Sequence, residues 1–212
     1  MRKARDAVRQ HGLRLSIVGS TDVPAVIPEL ERVSNAWLHH ANQAERSFSR
    51  GFFNPQYVSN FPCAVVRKGN YIVAFAVLRP SVDKEELALD IVRYDGVTPP
   101  GIFAFMVAEI ILQGQPPLWA RWLRGDKRQF SWFNLGMVPG VAAEAHELGP
   151  LRERLGALPY PQSDHFQDLD SYRCFAKRLA PVWRAKYLVL PGGLDTSRIL
   201  GDIASLIARV ET

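Results

Sequence analysis

Cysteine is scarce in this sequence: Cys63 and Cys174 lie far apart, with no Cys-x-x-Cys pair and no Cys/His cluster around them. That spacing excludes a zinc-type site and a disulfide framework, and it predicts two reduced, buried thiols in a cytosolic protein. The five histidines are dispersed, and the neighbours His39 and His40 would point in different directions on a helix. No metal site and no bound cofactor is expected. Long apolar runs are missing too. The longest, IFAFMVAEIIL at 102–112, contains Glu109 and is far too short to span a bilayer. The opening MRKARDAVRQ has no apolar core behind its charges, so no secretory signal is expected. There is no internal repeat, no low-complexity linker and no nucleophile elbow that would support covalent catalysis.

What is present suits one good-sized core: 212 residues, 47% of them apolar and 22% charged. The net charge of +5 and the pI near 9.4 suit an anionic partner such as nucleic acid or lipid headgroups, and equally an ordinary basic enzyme. Residues 2–11 carry Arg2, Lys3, Arg5 and Arg9 against one acid, Asp6, in a helix-compatible segment ended by Gly12. It fits a solvated helix face or an anion-binding surface. LRLSIV (13–18) reads as a strand. Ser20-Thr21-Asp22 offers caps to a helix whose apolar spacing runs through Ile27, Leu30, Val33 and Trp37. NPQYVSNF (54–61) fits a short helix. Three strands follow, CAVVRK (63–68), YIVAFAVLR (71–79) and ELALDIVRY (86–94), with turns at Lys68-Gly69-Asn70 and at Pro80 to Lys84. Pro99-Pro100-Gly101 breaks the chain before a buried helix at 102–112. An irregular piece leads to a strand at 130–136, and helices are expected over 142–156, near 168–178 and from Thr196.

Four segments carry candidate chemistry. In LDIVRYD (89–95), strict alternation puts Leu89, Ile91 and Arg93 on one face and Asp90, Val92 and Tyr94 on the other. Asp90 and Arg93 would then leave opposite faces unless a bulge re-aims one of them, and the pattern also fits two surface charges on an edge strand. RYDGVT (93–98) brushes against the loop that cradles the coenzyme A pyrophosphate in acetyltransferases. Thr98 replaces its last small residue, however, and Pro99-Pro100 removes two backbone donors. LWARWLRGDKRQFSWF (118–133) interleaves tryptophans with arginines, which fits an RNA end held by stacking and phosphate pairing, or an amphipathic turn. In SDHFQDLDSYRCFAKRLAPVW (163–183), Asp164-His165 is a candidate acid/base pair, although His165 also fits a capping or core role. Asn134, inside the apolar run SWFNLG, either closes a turn or points into a pocket, because a buried amide must find partners.

The element order, strand–two helices–three antiparallel strands–helix–strand–helix, resembles the GCN5-related N-acetyltransferase fold. This is an α/β (α+β) architecture with a mixed, mostly antiparallel sheet flanked by helices, in which the fourth and fifth strands splay apart around the acyl donor. The resemblance implies that Asn134 sits at that cleft. More specifically, the runs RKARDAVRQHGL, VSNAWL, FPCAVVRKGNYIVAFAVL, ELALDIVRYD, WFNLGMVP, DHF, YRCFAKRLAPVW and YLVLPGGL are similar to the C-terminal catalytic domain of aminoacyl-phosphatidylglycerol synthases, the bacterial multiple peptide resistance factors.

This resemblance implies a basic linker helix at 1–12 and an acetyltransferase-like catalytic domain at 13–212, the second of two tandem halves, with the first half and a transmembrane region absent. It implies transfer of lysine or alanine from aminoacyl-tRNA to phosphatidylglycerol at the cytoplasmic side of the bacterial inner membrane. Asp90 becomes the ammonium-binding or base carboxylate, Arg93 an anchor for phosphate or the tRNA 3′ end, and Asp164 a carboxylate where the family has Glu. Arg173, Arg178 (for a Lys), His165 and Asn134 become substrate-binding residues, and Arg2, Lys3, Arg5 and Arg9 meet tRNA or lipid. The family commonly has Asp at the position of Ala104 and Lys at that of Ala176. Losing such a group at a developing charge can cost about 3 kcal/mol. The alternative functions are a coenzyme A-dependent N-acetyltransferase and a non-catalytic module binding tRNA or anionic membranes.

Overall fold

The structure is a computed structural model that describes residues 2–40, 53–83, 85–114, 130–136 and 169–185, and the single positions 189, 198, 199, 202 and 205. The chain forms two compact units, Met1–Ala44 with Phe53–Leu135, and Glu45–Phe52 with Gly136–Thr212.

The first unit runs α1 (Arg2–Gln10), β1 (Leu13–Val18), α2 (Val23–His40), α3 (Pro55–Val58), β2 (Cys63–Lys68), β3 (Tyr71–Pro80), β4 (Glu86–Tyr94), α4 (Ile102–Gln113) and β5 (Trp132–Asn134). The strands form one sheet in the order β1-β2-β3-β4-β5. The first three pairings are antiparallel, and β4 pairs with β5 in parallel. A parallel pair needs a crossover, and α4 supplies it. The fold is the α/β, acetyltransferase-like one that the element order anticipates. β2, β4 and α4 fall where the sequence puts them, because glycine and proline mark their ends. Gly69 turns the β2–β3 hairpin at φ +60°, and Gly101 leads into α4 at φ +88°. The strand expected over 130–136 shrinks to three residues, since both Ser131 and Trp132 donate their N–H to the Glu85 carbonyl instead of extending the ladder.

The central strands are buried on both faces. On one, α2 and α3 cover a core of Leu30, Val33, Val58, Cys63, Val65, Ile72, Phe75, Val77 and Ile91. The rings of Phe53 and Phe75 meet edge-on there at 5.8 Å. On the other, α4 lies against β2 and also touches α1. Eight of its residues are buried, including Glu109. An unpaired carboxylate would be costly at that depth, and α1 neutralises it: Arg5 Nε reaches Glu109 at 2.5 Å and Arg9 Nη2 at 3.0 Å. α1 therefore packs within the first unit, with Val8 fully buried beneath it.

In the second unit, α5 (Leu169–Lys177) buries Tyr172, Phe175 and Ala176. Arg198, Ile199, Asp202 and Ser205 are helical, where a final helix was expected. The expected helix over 142–156 lies outside the described residues.

The two thiols differ, contrary to the expectation that both are buried. Cys63 is buried in the core, which pushes its pKa up to about 12, whereas Cys174 faces outward on α5. The helical period of α5 gathers Tyr172, Phe175 and Ala176 on one buried face and leaves Cys174 on the opposite face. A thiol-specific chromogenic reagent is expected to titrate one cysteine in the native protein and the second only in denaturant. Labelling of both under native conditions would contradict this core.

Candidate functional site

The ladder between β4 and β5 is short. Glu86, Leu87 and Ala88 pair with Trp132, Phe133 and Asn134, and there it stops. Among the described residues, no strand continues on the β5 side of β4 from Leu89 to Tyr94, while β3 stays paired on the other side. β5 ends here, and Asp90 and Arg93 lie on the stretch of β4 beyond the last pair.

A bulge decides where those side chains go. Ala76 pairs with Val92 and Leu78 with Leu89, so the single residue Val77 faces two, Asp90 and Ile91. The extra residue reverses the phase of the strand. Ahead of it Leu89 points to the α4 face. After it Ile91 and Arg93 point to the α2/α3 face, where Ile91 joins the core and Arg93 pairs across to Phe75. Asp90 reaches the same α2/α3 face, because its Oδ2 accepts a 2.6 Å hydrogen bond from the Tyr57 hydroxyl of α3. Strict alternation, which groups Leu89 with Arg93 and sets Asp90 opposite, is thus corrected. The carboxylate and the guanidinium share one face.

Their surroundings differ. Arg93 is buried, with its guanidinium 3.9 Å above the Trp37 ring of α2. Asp90 is partly open, its side chain 18% exposed, with Arg79 Nη1 at 3.9 Å. Both contacts fall on Oδ2. Oδ1 has no hydrogen-bond partner among the described residues, so one carboxylate oxygen is left for a substrate donor.

Tyr57 is held in turn by its own helix start. Asn54 caps α3, its side chain accepting from the Tyr57 N–H at 3.0 Å, and Pro55 follows at the first helical position. Burial first, then the hydrogen bond and negative charge of Asp90, push the Tyr57 phenol up from 10 to about 12. The protonated phenol is the form the fold favours, so its contribution to stability is complete below pH 10 and is lost as pH rises through about 12. In an absorbance titration of phenolate formation, Tyr57 is expected to lag the exposed tyrosines, and Tyr57→Phe is expected to lower the amplitude of the late step by one tyrosine. An unaltered curve for the variant would sink the assignment.

Asn134, the last paired residue of β5, donates Nδ2–H to Glu86 Oε1 at 2.8 Å. Its amide is satisfied by a carboxylate on the neighbouring strand. Arg5 and Arg9 both engage Glu109. Arg173 lies on α5 and Arg178 just beyond it, where its N–H caps the helix on Phe175 O at 3.1 Å. Asp164, His165 and the side chains of Arg2 and Lys3 lie outside the described residues, as does the basic-aromatic run up to 129. Ala104 is half-buried near the start of α4 and Ala176 is buried on α5.

At the β4–α4 turn, the Asp95 carboxylate accepts from Val97 N–H at 3.4 Å and pairs with Arg32 at 3.4 Å. The loop thus sets a negative charge of its own where a pyrophosphate cradle would need free N–H groups. Reasoning from the sequence missed Tyr57, Arg79, Trp37 and Glu86. For Tyr57 there was a usable signal, the Asn-Pro helix start that fixes the first turn of α3.

A short parallel β4–β5 ladder at the end of an antiparallel sheet, with a partly exposed carboxylate and a stacked guanidinium on one face of β4, marks an acetyltransferase-like α/β domain. The family model described as "Phosphatidylglycerol lysyltransferase, C-terminal" matches residues 1–190, and the chain belongs to that family. It is 30% identical over 186 residues to a phosphatidylglycerol lysyltransferase of Bacillus subtilis, covering 87% of this chain and 20% of that protein. It is 28% identical to one from Staphylococcus aureus, covering 77% and 18%. The chain thus spans about a fifth of the length of these relatives. Among solved structures, it resembles the C-terminal domain of a lysylphosphatidylglycerol synthetase from Agrobacterium fabrum with a TM-score of 0.73 at 29% identity, over 98% of this chain and 58% of that one. L-PGS from Bacillus licheniformis gives 0.70 at 26% identity, over 98% and 59%. No helix among the described residues is long and apolar enough to cross a membrane.

Proposed function

We propose that this domain transfers an aminoacyl group, lysyl or alanyl, from aminoacyl-tRNA to a hydroxyl of phosphatidylglycerol at the cytoplasmic face of the bacterial membrane, together with an N-terminal acetyltransferase-like half. Membership of the lysyltransferase family supports the acceptor. The observation that carries the chemistry is the unengaged Oδ1 of Asp90, set by the β4 bulge on the face it shares with Arg93. In this reading the glycerol hydroxyl attacks the aminoacyl carbonyl carbon, a new C–O bond forms, the C–O bond to the tRNA ribose breaks, and the hydroxyl proton ends on the ribose oxygen. Asp90 receives that proton or holds the substrate ammonium group, and Arg93 binds phosphate or the tRNA 3′ end. Asp164, His165, Arg173, Arg178 and Asn134 are the further residues this reading assigns to substrate binding. Arg2 and Lys3 bind tRNA or lipid in this reading.

The test is direct: incubate the chain with lysyl- or alanyl-tRNA and phosphatidylglycerol vesicles, with the N-terminal half supplied, and look for aminoacylated lipid. A folded sample giving no product with either amino acid would remove the proposal. Asp95 speaks against the coenzyme A reading, which calls for a rise in melting temperature with acetyl-coenzyme A. A non-catalytic tRNA- or membrane-binding module would bind without turnover.

A further inference from the structure

The two ends of the sheet differ in charge, and the difference points to a docking face. At the end where β3 turns into β4, Val82 and Trp132 are exposed, but beside the acids Asp83, Glu85 and Glu86, and the cation there, Arg79, is paired with Asp90. At the other end, the β2–β3 hairpin and the β4–α4 loop lie side by side: Asp95 N–H donates to Val73 O at 2.9 Å, and Arg32 bonds both Ile72 O and Asp95. Here the exposed apolar side chains are Tyr71, 72% accessible, and Val97, 80% accessible. Beside them Arg14 of β1 and Arg67 of β2 sit directly opposite each other, and Lys68 follows.

Like charges directly opposite across a strand pair repel. Arg67 donates only to the Ser16 hydroxyl at 3.1 Å, and neither Arg14 nor Lys68 has an ion-pair partner among the described residues. The acids nearby are occupied: Asp95 by Arg32, and Glu29 by the Ile72 N–H at 3.2 Å. A fold carries a cationic pair of this kind at little gain to itself unless an external anion neutralises it. The stretch of β4 beyond its pairing with β5, Leu89–Tyr94, also runs out toward this end, because Tyr94 leads directly into Asp95.

We infer that this end of the sheet docks on an anionic lipid surface, with Arg14, Arg67 and Lys68 among the headgroups and Tyr71 and Val97 seated at the interface, so that the stretch of β4 carrying Asp90 and Arg93 runs toward the bilayer. An aromatic at headgroup depth flanked by cations is the arrangement that interfaces favour. An exposed valine gains from a bilayer and nothing from RNA, which is why lipid is the favoured occupant. The proposal rests on the reading of phosphatidylglycerol as acceptor.

The experiment is co-sedimentation of the full chain with vesicles of phosphatidylcholine alone and of equal parts phosphatidylcholine and phosphatidylglycerol. Binding is expected only to the second, and it should vanish in about 1 M NaCl, where the Debye length is about 3 Å. Arg14→Gln with Arg67→Gln is expected to lower partitioning about thirtyfold, since each cation near such a surface contributes about 1 kcal/mol. Val97→Asp, which leaves the cations in place, should weaken it further. Melting curves check that each variant folds, and relief of the Arg14–Arg67 repulsion predicts no loss of stability. Wild-type partitioning by the double variant overturns the inference, as does a loss of tRNA binding in gel shift with vesicle binding intact. Asp90→Asn separates this idea from the catalytic reading: it should sediment like wild type whatever it does to turnover.

Discussion

Asp90→Asn is expected to lower aminoacyl transfer to phosphatidylglycerol by about 100- to 10,000-fold, the range that a positioned general base contributes. The substitution keeps the volume, and the Asn carbonyl still accepts from the Tyr57 hydroxyl now 2.6 Å away. The fold is therefore expected to survive, with urea midpoints close to wild type. What disappears is the negative charge and the basicity of Oδ1. The kinetic split assigns the role. A base acting on the lipid hydroxyl predicts a fall in kcat with KM for aminoacyl-tRNA unchanged, whereas an ammonium-binding carboxylate predicts a rise in KM as well. Tyr57→Phe should be milder in both respects, since it removes one hydrogen bond from Oδ2 and leaves the charge. Full activity in Asp90→Asn, measured with charged tRNA and lipid vesicles, would dismiss the carboxylate as a participant.

Much of the fold was legible because its signals are local. Gly12, Gly69 and Pro99-Pro100-Gly101 punctuate the chain, and between them the apolar pattern left little freedom for α1, β2, β4 and α4. The site was legible in its membership and not in its geometry. A bulge has no reliable signature in a run such as LDIVRY, since it reflects how β4 meets β3, and so the face of Asp90 could not be read from alternation. Pairings across long stretches of chain were equally hidden. Tyr57 and Asp90 are 33 residues apart, and Arg5 and Glu109 are 104 apart. The basic run at the N-terminus looked like a surface for anions because its acid partner sits on a helix that periodicity alone marks as core.

That hidden partner leads to the second large effect. Arg5→Met with Arg9→Met should destabilise the protein by about 3–5 kcal/mol, the usual result of stripping a buried charge of its partners. Glu109 is the reason: its side chain is 7% exposed on the apolar helix α4, and both guanidiniums bind it. The methionines keep most of the apolar stem contacts of the arginines, so lost packing is a minor part of the effect. A third change discriminates between a charge effect and a damaged helix. Adding Glu109→Leu to the double variant removes the stranded carboxylate and is expected to restore most of the stability, because replacing a whole buried ion group by apolar side chains is often neutral or better. Urea denaturation of the wild type and both variants gives the answer. If the double variant unfolds at the wild-type midpoint, the clasp between α1 and α4 contributes nothing, and Arg5 and Arg9 return to the pool of cations open to an external anion.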